Sequence, residues 1–124
     1  MKKVIATPDA PKAVGPYSQA IEANGTLYIS GQIPVNPADG QIQTEITAAA
    51  HQSLKNIGAI LKEAGMTYDN VVKTTVLLAD IADFKAVNEV YAEYFTGDKP
   101  ARACYQAAAL PLGVKVEIEA IAVK

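Results

Sequence analysis

The segment TEITAAAHQSLKNIGAILKEAG, residues 44–65, decides how the rest of this chain is interpreted. Its apolar side chains recur at steps of four or three residues, which is the spacing of one face of an α-helix. These residues are Ile46, Ala50, Leu54, Ile57, Leu61 and Ala64. Gly65 follows as a helix stop. The segment therefore predicts one amphipathic helix over residues 44–64, whose apolar stripe must pack against other elements.

The residues that follow this helix predict a strand and a second helix. Residues 71–79, VVKTTVLLA, are rich in β-branched side chains and are typical of a mostly buried strand. Asp83 is a candidate N-cap for a helix that ends at Gly97. The apolar face of this second helix is predicted to contain Phe84, Val87, Tyr91, Tyr94 and Phe95.

The chain ends in two further predicted strands, residues 102–109 and 115–123, joined by a turn at 110–113. At the other end, residues 4–6 predict a short strand, which a proline-rich loop follows. Strands at 18–23 and 26–30 are predicted to form a hairpin, because Asn24-Gly25 supplies the positive φ angles of a tight type I′ turn.

The predicted order is β-β-β-α-β-α-β-β, which indicates one α+β domain over residues 1–124 with a mixed sheet and two helices on one face. In the last strand Val116 and Ile118 alternate with Glu117 and Glu119, but this second series continues as Ile121 and Val123. A sheet face that turns apolar along its length favours burial against another copy. We therefore expect a homo-oligomer.

The composition narrows the classes of function. The 124 residues carry 11 basic and 13 acidic side chains, a net charge of −2, without the basic stripe expected of a nucleic-acid-binding module. No apolar run approaches the roughly 20 residues of a membrane-spanning helix. The single cysteine and the absence of an apolar signal stretch after Met1 favour a soluble protein in a reducing cytoplasm.

Arg102, the only arginine, opens the predicted strand in the run PARACYQAAALP. A chain that otherwise uses lysine has a reason to keep one planar guanidinium, since this group binds a carboxylate through two parallel hydrogen bonds. A structural ion pair with Glu117 or Glu119 is the alternative, and the residue alone does not decide between the two.

Other polar side chains are weaker candidates when each is taken alone. Cys104 shares the strand face of Arg102 but has no evident base, which favours a small buried thiol over a nucleophile. His51 lies off the apolar stripe of its helix, as a solvated surface histidine does, and one histidine with one cysteine gives no metal-ligand spacing. Tyr17, Ser30 and Asn88 lie where loops or helices meet the sheet, where structural roles are common.

Taken together, six runs closely resemble the RidA family, the reactive intermediate deaminases that act on 2-iminobutanoate and 2-iminopropanoate. The resemblance spans nearly the whole chain in order, without large gaps. The runs are GPYSQA at 15–20, SGQIP at 30–34, VVKTTVLLAD at 71–80, the spaced DF, VN, Y and YF at 83–95, PAR at 100–102, and LP with EIEAIA at 110–122.

The resemblance implies a chorismate-mutase-like fold assembled as a homotrimer, with a cleft between each pair of neighbouring subunits. It implies that Arg102 binds the substrate carboxylate and that Glu117 orients or activates water. The cleft-lining residues that it implies are Tyr17, Ser30, Gly31, Asn88 and Cys104. The chain departs from the residues common in the family at Ala103, Tyr105 and Ala107. These differences affect the expected preference for the substrate side chain more than the expected reaction.

The implied reaction is hydrolysis of a 2-imino acid to a 2-keto acid and ammonia, with no metal, cofactor or covalent nucleophile required. Glu117 alone is not distinguished from Glu119 by periodicity, because both lie on one strand face. Three alternatives remain at this point: a keto-acid-sensing module that uses the same cleft, a protein-interaction or chaperone-like role, and a ribonuclease, which the net charge disfavours.

Overall fold

A computed structural model describes all residues, 1–124, and shows one six-stranded sheet with two helices packed on one face. The strand order across the sheet is β1-β2-β3-β6-β4-β5. The elements are β1 (Lys3–Ile5), β2 (Ala20–Ala23), β3 (Thr26–Gln32), α1 (Ile46–Glu63), β4 (Val71–Leu78), α2 (Phe84–Tyr94), β5 (Ala101–Gln106) and β6 (Val116–Val123). The predicted α+β class and order of elements are confirmed.

The hairpin between β2 and β3 turns at Asn24-Gly25, as predicted. Asn24 has a φ of 52° and Gly25 a φ of 78°, the left-handed conformations that a type I′ turn requires. Ala23 and Thr26 are directly paired, so the turn contains two residues and fixes the register of the hairpin. Because β3 then pairs with β6, this turn also sets the position of Ser30 and Gly31 relative to the last strand.

Helix α1 buries the stripe predicted from the sequence, including Leu54, Ile57 and Leu61, none of which is exposed to solvent. The helix begins after Glu45, whose side-chain Oε2 accepts a hydrogen bond of 2.8 Å from the backbone N–H of Ala48. Gly65, with a φ of 74°, ends the last turn. The stripe supplies one wall of the core, and the sheet supplies the other.

The start of α2 differs from the prediction. Asp83 occupies the N-cap position but makes no capping hydrogen bond through its side chain. Asp80 instead accepts a hydrogen bond of 2.9 Å from the N–H of Ala82, at the start of a short 3₁₀ turn over Ile81–Asp83 that leads into the helix. The side-chain cap is therefore Asp80, one turn before Asp83, because a 3₁₀ turn precedes the α-helix.

Strand β5 is shorter than predicted, ending at Gln106 instead of residue 109. It lies at the sheet edge and pairs only with β4, in parallel, and its last partner is Leu78 at the end of β4. Once that partner ends, no strand remains to continue the ladder. All other strand pairs are antiparallel, so this one pair makes the sheet mixed.

The two faces of the sheet differ in character. The face toward the helices is apolar, and in β6 it carries Val116, Ile118, Ala120 and Ala122, all buried. The opposite face, called the open face below, is uncovered in the single chain. The open face carries Tyr28, Leu77, Tyr105, Glu117, Glu119, Ile121 and Val123. Neither helix combines the length and apolar character needed to cross a membrane.

Candidate functional site

Arg102 lies near the start of the edge strand β5, against the helix α2. Its Nη1 donates a hydrogen bond of 2.7 Å to Asn88 Oδ1. Its guanidinium carbon also lies 4.9 Å from the ring centroid of Tyr91 and 5.5 Å from that of Phe84, within the range of cation–π attraction. Phe84, Asn88 and Tyr91 follow one another at helical spacing, so one face of α2 holds the guanidinium.

The groups that hold Arg102 are all neutral. The ion pairs in the structure join His51 to Glu93 and Lys124 to Glu22, and neither includes Arg102. Within one chain, Arg102 therefore forms no ion pair with Glu117 or Glu119. Both glutamates project from the open face, whereas Arg102 projects toward the helices. The guanidinium keeps an uncompensated charge and unused N–H donors, which suits it to bind an anion from outside the chain.

Cys104 lies two residues beyond Arg102 on the same face of β5, as predicted. It is partly buried and packs against the core. Burial raises the pKa of its thiol, and this effect outweighs the opposing effect of the nearby Arg102 charge. Cys104 is therefore a neutral thiol at physiological pH, not the thiolate that nucleophilic catalysis requires.

Glu117 lies on the open face, directly over the backbone of Gly31. The two residues meet because β3 bulges between Ile29 and Gln32 where it pairs with β6. A Cβ atom at Gly31 would lie 2.9 Å from Glu117 Cδ and would overlap its carboxylate. Glycine is thus required for this close approach. No hydrogen bond within the chain holds the Glu117 carboxylate, whereas many other buried polar groups are bonded.

The environment of Glu117 disfavours its charged form. Partial burial raises the pKa of this carboxyl, and repulsion from the Glu119 carboxylate two residues away raises it further. A carboxylate whose pKa moves toward neutrality is a better proton acceptor than an ordinary surface glutamate. Periodicity placed Glu117 and Glu119 on one face, and the structure distinguishes them, because Glu117 is half-buried while Glu119 is exposed.

Ser30 precedes Gly31 in β3, and Tyr17 lies in the loop before β2. The Ser30 hydroxyl donates a hydrogen bond of 2.6 Å to the carbonyl of Ser18, and its N–H donates one of 2.9 Å to the carbonyl of Gln19. Ser30 therefore anchors the loop that carries Tyr17. Tyr17 is half exposed and lines a cavity of about 390 Å³ that Gly31 also lines. Gly31 thus borders both this cavity and the Glu117 carboxylate.

The environments of two residues, His51 and Tyr91, differ from those predicted from the sequence. His51 is half-buried, and its Nδ1 lies 2.7 Å from the hydroxyl of Tyr94, so it is not a solvated surface histidine. This contact joins α1 to α2. Tyr91 was interpreted as part of an apolar stripe. Its spacing of three residues from Asn88 is the signal that could have placed it beside Arg102.

The predicted site residues therefore form two separate groups in one chain. The first, called the arginine half, contains Arg102, Asn88 and Cys104. The second, called the glutamate half, contains Glu117, Gly31, Ser30 and Tyr17. The structure contains no group of three or more His, Cys, Asp or Glu side chains that could hold a metal ion. The arginine half can bind an anion, and the glutamate half offers a proton acceptor.

Comparison with known proteins gives concordant matches in sequence and in structure. The family model described as endoribonuclease L-PSP matches residues 7–124. A relative from Mus musculus, named 2-iminobutanoate/2-iminopropanoate deaminase, is 58% identical over 125 residues, which cover 100% of this chain and 93% of the relative.

Two solved structures give the same result for the fold. A Yersinia pestis protein described as a member of the conserved Rid protein family is 50% identical, with a TM-score of 0.97 and complete coverage of both chains. The TdcF protein of E. coli, solved with bound serine, is 43% identical with a TM-score of 0.96, covering 98% of each chain. The resemblance to the RidA family is thereby confirmed.

Proposed function

The chain belongs to the endoribonuclease L-PSP family, which includes the Rid proteins, and we propose that it hydrolyses reactive 2-imino acids to 2-keto acids and ammonia. Its substrates are 2-iminopropanoate and 2-iminobutanoate, the acids in the name shared by several relatives at 55–58% identity. The observation that carries this proposal is the guanidinium of Arg102, held by neutral groups and free to bind a carboxylate.

Arg102 binds the carboxylate that every 2-imino acid carries next to its C=N bond. Charge-assisted hydrogen bonds of this kind contribute on the order of 1.5–3 kcal/mol each. Asn88 orients one edge of the guanidinium and leaves the other donors for the substrate. The E. coli relative, solved with bound serine, is a protein of the same fold that binds a ligand with a carboxylate on its α-carbon. Cys104 lines this half of the cleft as a neutral side chain.

Glu117 supplies the second requirement, which is a water molecule directed at the imine carbon. Its carboxylate accepts a proton as the water oxygen bonds to that carbon, and the C=N bond becomes a single bond. Return of that proton to nitrogen gives a carbinolamine, and transfer of its hydroxyl proton to the amine nitrogen then lets the C–N bond break, so that ammonia leaves as the C=O bond of the ketone forms. General-base assistance of about 10²–10⁴ is sufficient, because these imines also hydrolyse unaided. Tyr17, Ser30 and Gly31 line this half, and no cofactor takes part.

The two halves act together only when two copies of the chain meet. We infer a homotrimer of the chorismate-mutase-like kind, in which the arginine half of one subunit faces the glutamate half of its neighbour. The open face supports this assembly, since Tyr28 and Tyr105 are each about half exposed in the single chain and Val123 is also exposed. Burial of these side chains between subunits would contribute roughly 25 cal/mol for each Å² removed from water.

The proposal is tested by generating 2-iminopropanoate from serine with a pyridoxal-phosphate dehydratase and following loss of the imine. The purified protein is expected to accelerate this loss, whereas Arg102→Ala is not. No acceleration by the folded wild-type protein would overturn the deaminase proposal. Binding of pyruvate without turnover would then indicate keto-acid sensing. Cleavage of RNA that Arg102→Ala abolishes would indicate the ribonuclease of the family description.

A further inference from the structure

The Arg102 guanidinium lies against the ring of Tyr91, which is held in place by contacts in the core. Tyr91 is only 6% exposed, and its ring lies under the guanidinium at 4.9 Å. Phe84 and Asn88 contact Arg102 from the same helix, but Phe84 is partly exposed and carries no polar group that could anchor it. Tyr91 is therefore the contact of Arg102 that lies deepest in the core.

A single buried hydrogen bond connects Tyr91 to the sheet. Its hydroxyl lies 2.7 Å from the hydroxyl of Thr74, and Thr74 is completely buried. Each hydroxyl satisfies the other in a region without solvent, where an unpaired polar group would destabilise the fold. Burial raises the pKa of Tyr91 even though Thr74 and Arg102 oppose that effect, so the phenol is neutral.

The register of the sheet places Thr74 directly beside Arg102. The two residues are Cα partners in the parallel ladder between β4 and β5, so their side chains emerge on the same face. The Thr74 hydroxyl thus bonds to the tyrosine whose ring supports the neighbouring arginine. An apolar residue at position 74 would serve the core equally well, so a threonine there needs an explanation that packing alone does not provide.

We propose that Thr74 and Tyr91 are positioning residues for Arg102, fixing the ring on which the guanidinium lies so that its free N–H donors point at the substrate carboxylate. Neither residue contacts the reacting atoms. Because the interaction is with a carboxylate that is present before, during and after hydrolysis, it strengthens binding of substrate and product alike. It therefore lowers KM and leaves kcat nearly unchanged.

The experiment measures the Kd of pyruvate by calorimetry, and KM and kcat for the imine, in four variants. Tyr91→Leu removes the ring and is expected to weaken pyruvate binding about tenfold. Thr74→Val and Tyr91→Phe remove the hydrogen bond and keep the ring, so each is expected to weaken binding about threefold. Tyr94→Phe is the matched control, because it removes a 2.7 Å hydroxyl contact on the same helix that involves His51 instead of Arg102.

The expected pattern is a graded rise in Kd and KM, with kcat within about twofold of wild type. Tyr91→Phe, which keeps the ring, is expected to show a smaller defect than Tyr91→Leu. Melting temperatures separate this effect from unfolding. If Tyr91→Leu does not fold, the Kd and KM values of Thr74→Val and Tyr91→Phe test the positioning role. Wild-type Kd and KM in both of these folded variants would overturn the inference.

The inference rests on the proposed function, but the two can fail separately. Wild-type protein that binds pyruvate without hydrolysing imine overturns the deaminase activity alone, because the Kd values of the variants still test the positioning role. Wild-type protein that hydrolyses imine while Thr74→Val and Tyr91→Phe bind pyruvate unchanged overturns the positioning role alone. Wild-type protein that neither binds pyruvate nor accelerates loss of the imine overturns both.

Discussion

Arg102 and Glu117 project from opposite faces of one β-sheet. Arg102 is the partner of Thr74 in β4, and Glu117 is the partner of Leu77 in the same strand. Thr74 and Leu77 are three residues apart, an odd number, so their side chains point to opposite sides. Thr74 faces the core and Leu77 faces the open side. The proposed site, in which one small substrate contacts both Arg102 and Glu117, therefore requires two chains.

This relationship predicts that two inactive variants restore activity when they assemble together. Arg102→Ala inactivates the arginine half of the site, and Glu117→Ala inactivates the glutamate half. A site between subunits is intact when the unmutated half of one variant faces the unmutated half of the other. Co-expression of both variants with different tags, followed by sequential purification of the mixed trimers, is expected to give about a third of wild-type activity, because one of the three sites in each mixed trimer is intact. Mixed oligomers as inactive as either parent would contradict a shared site.

The raised pKa of Glu117 predicts an acid limb in the pH dependence of kcat. The general base must be ionised, so the rate falls as pH decreases through a pKa above the usual glutamate range. Glu119→Gln removes the repulsion that contributes to this shift, and we expect it to move the limb to lower pH with the same plateau. Glu63→Gln removes an equal charge at the exposed end of α1 and serves as the control.

The close approach of Gly31 to Glu117 predicts a specific defect in Gly31→Ala. The new Cβ would overlap the carboxylate and displace it, and a displacement of about 1 Å at a catalytic group can cost on the order of 10²-fold in rate. We expect a loss of kcat with an unchanged Kd for pyruvate, since Arg102 lies elsewhere. Gly97→Ala adds a Cβ in ordinary contact at 3.6 Å and should retain full activity. Weaker pyruvate binding in Gly31→Ala would instead show that the overlap reaches the arginine half.

The same pKa shift predicts that Glu117 reduces stability at neutral pH. The pKa of Glu117 is higher in the folded state than in the unfolded chain, so ionisation weakens the folded state as pH rises through the folded value. Glu117→Gln is therefore expected to raise Tm at about pH 8, with the gain disappearing below about pH 4.3, where the carboxyl is protonated in both states. An equal gain at both pH values would point to altered packing and not to the charge.

Local patterns in the sequence were sufficient for most of the fold. The steps in α1, the Asn24-Gly25 turn and the alternation in β6 each depend on neighbours within a few residues, and the structure confirms all three. Short-range spacing reports which side chains share a face of one element. Resemblance to a known family then selected Arg102 and Glu117 from a chain with several polar candidates.

Local patterns in the amino-acid sequence specify the set of elements, their buried faces and the residues available for chemistry. The contacts of Arg102 with Asn88 and Tyr91, and of Glu117 with Gly31 on the other side of the sheet, appear only once the chain has folded. Strand register and the β3 bulge set these contacts between residues far apart in the chain. The register of a ladder depends on packing across the whole sheet, which no local spacing contains.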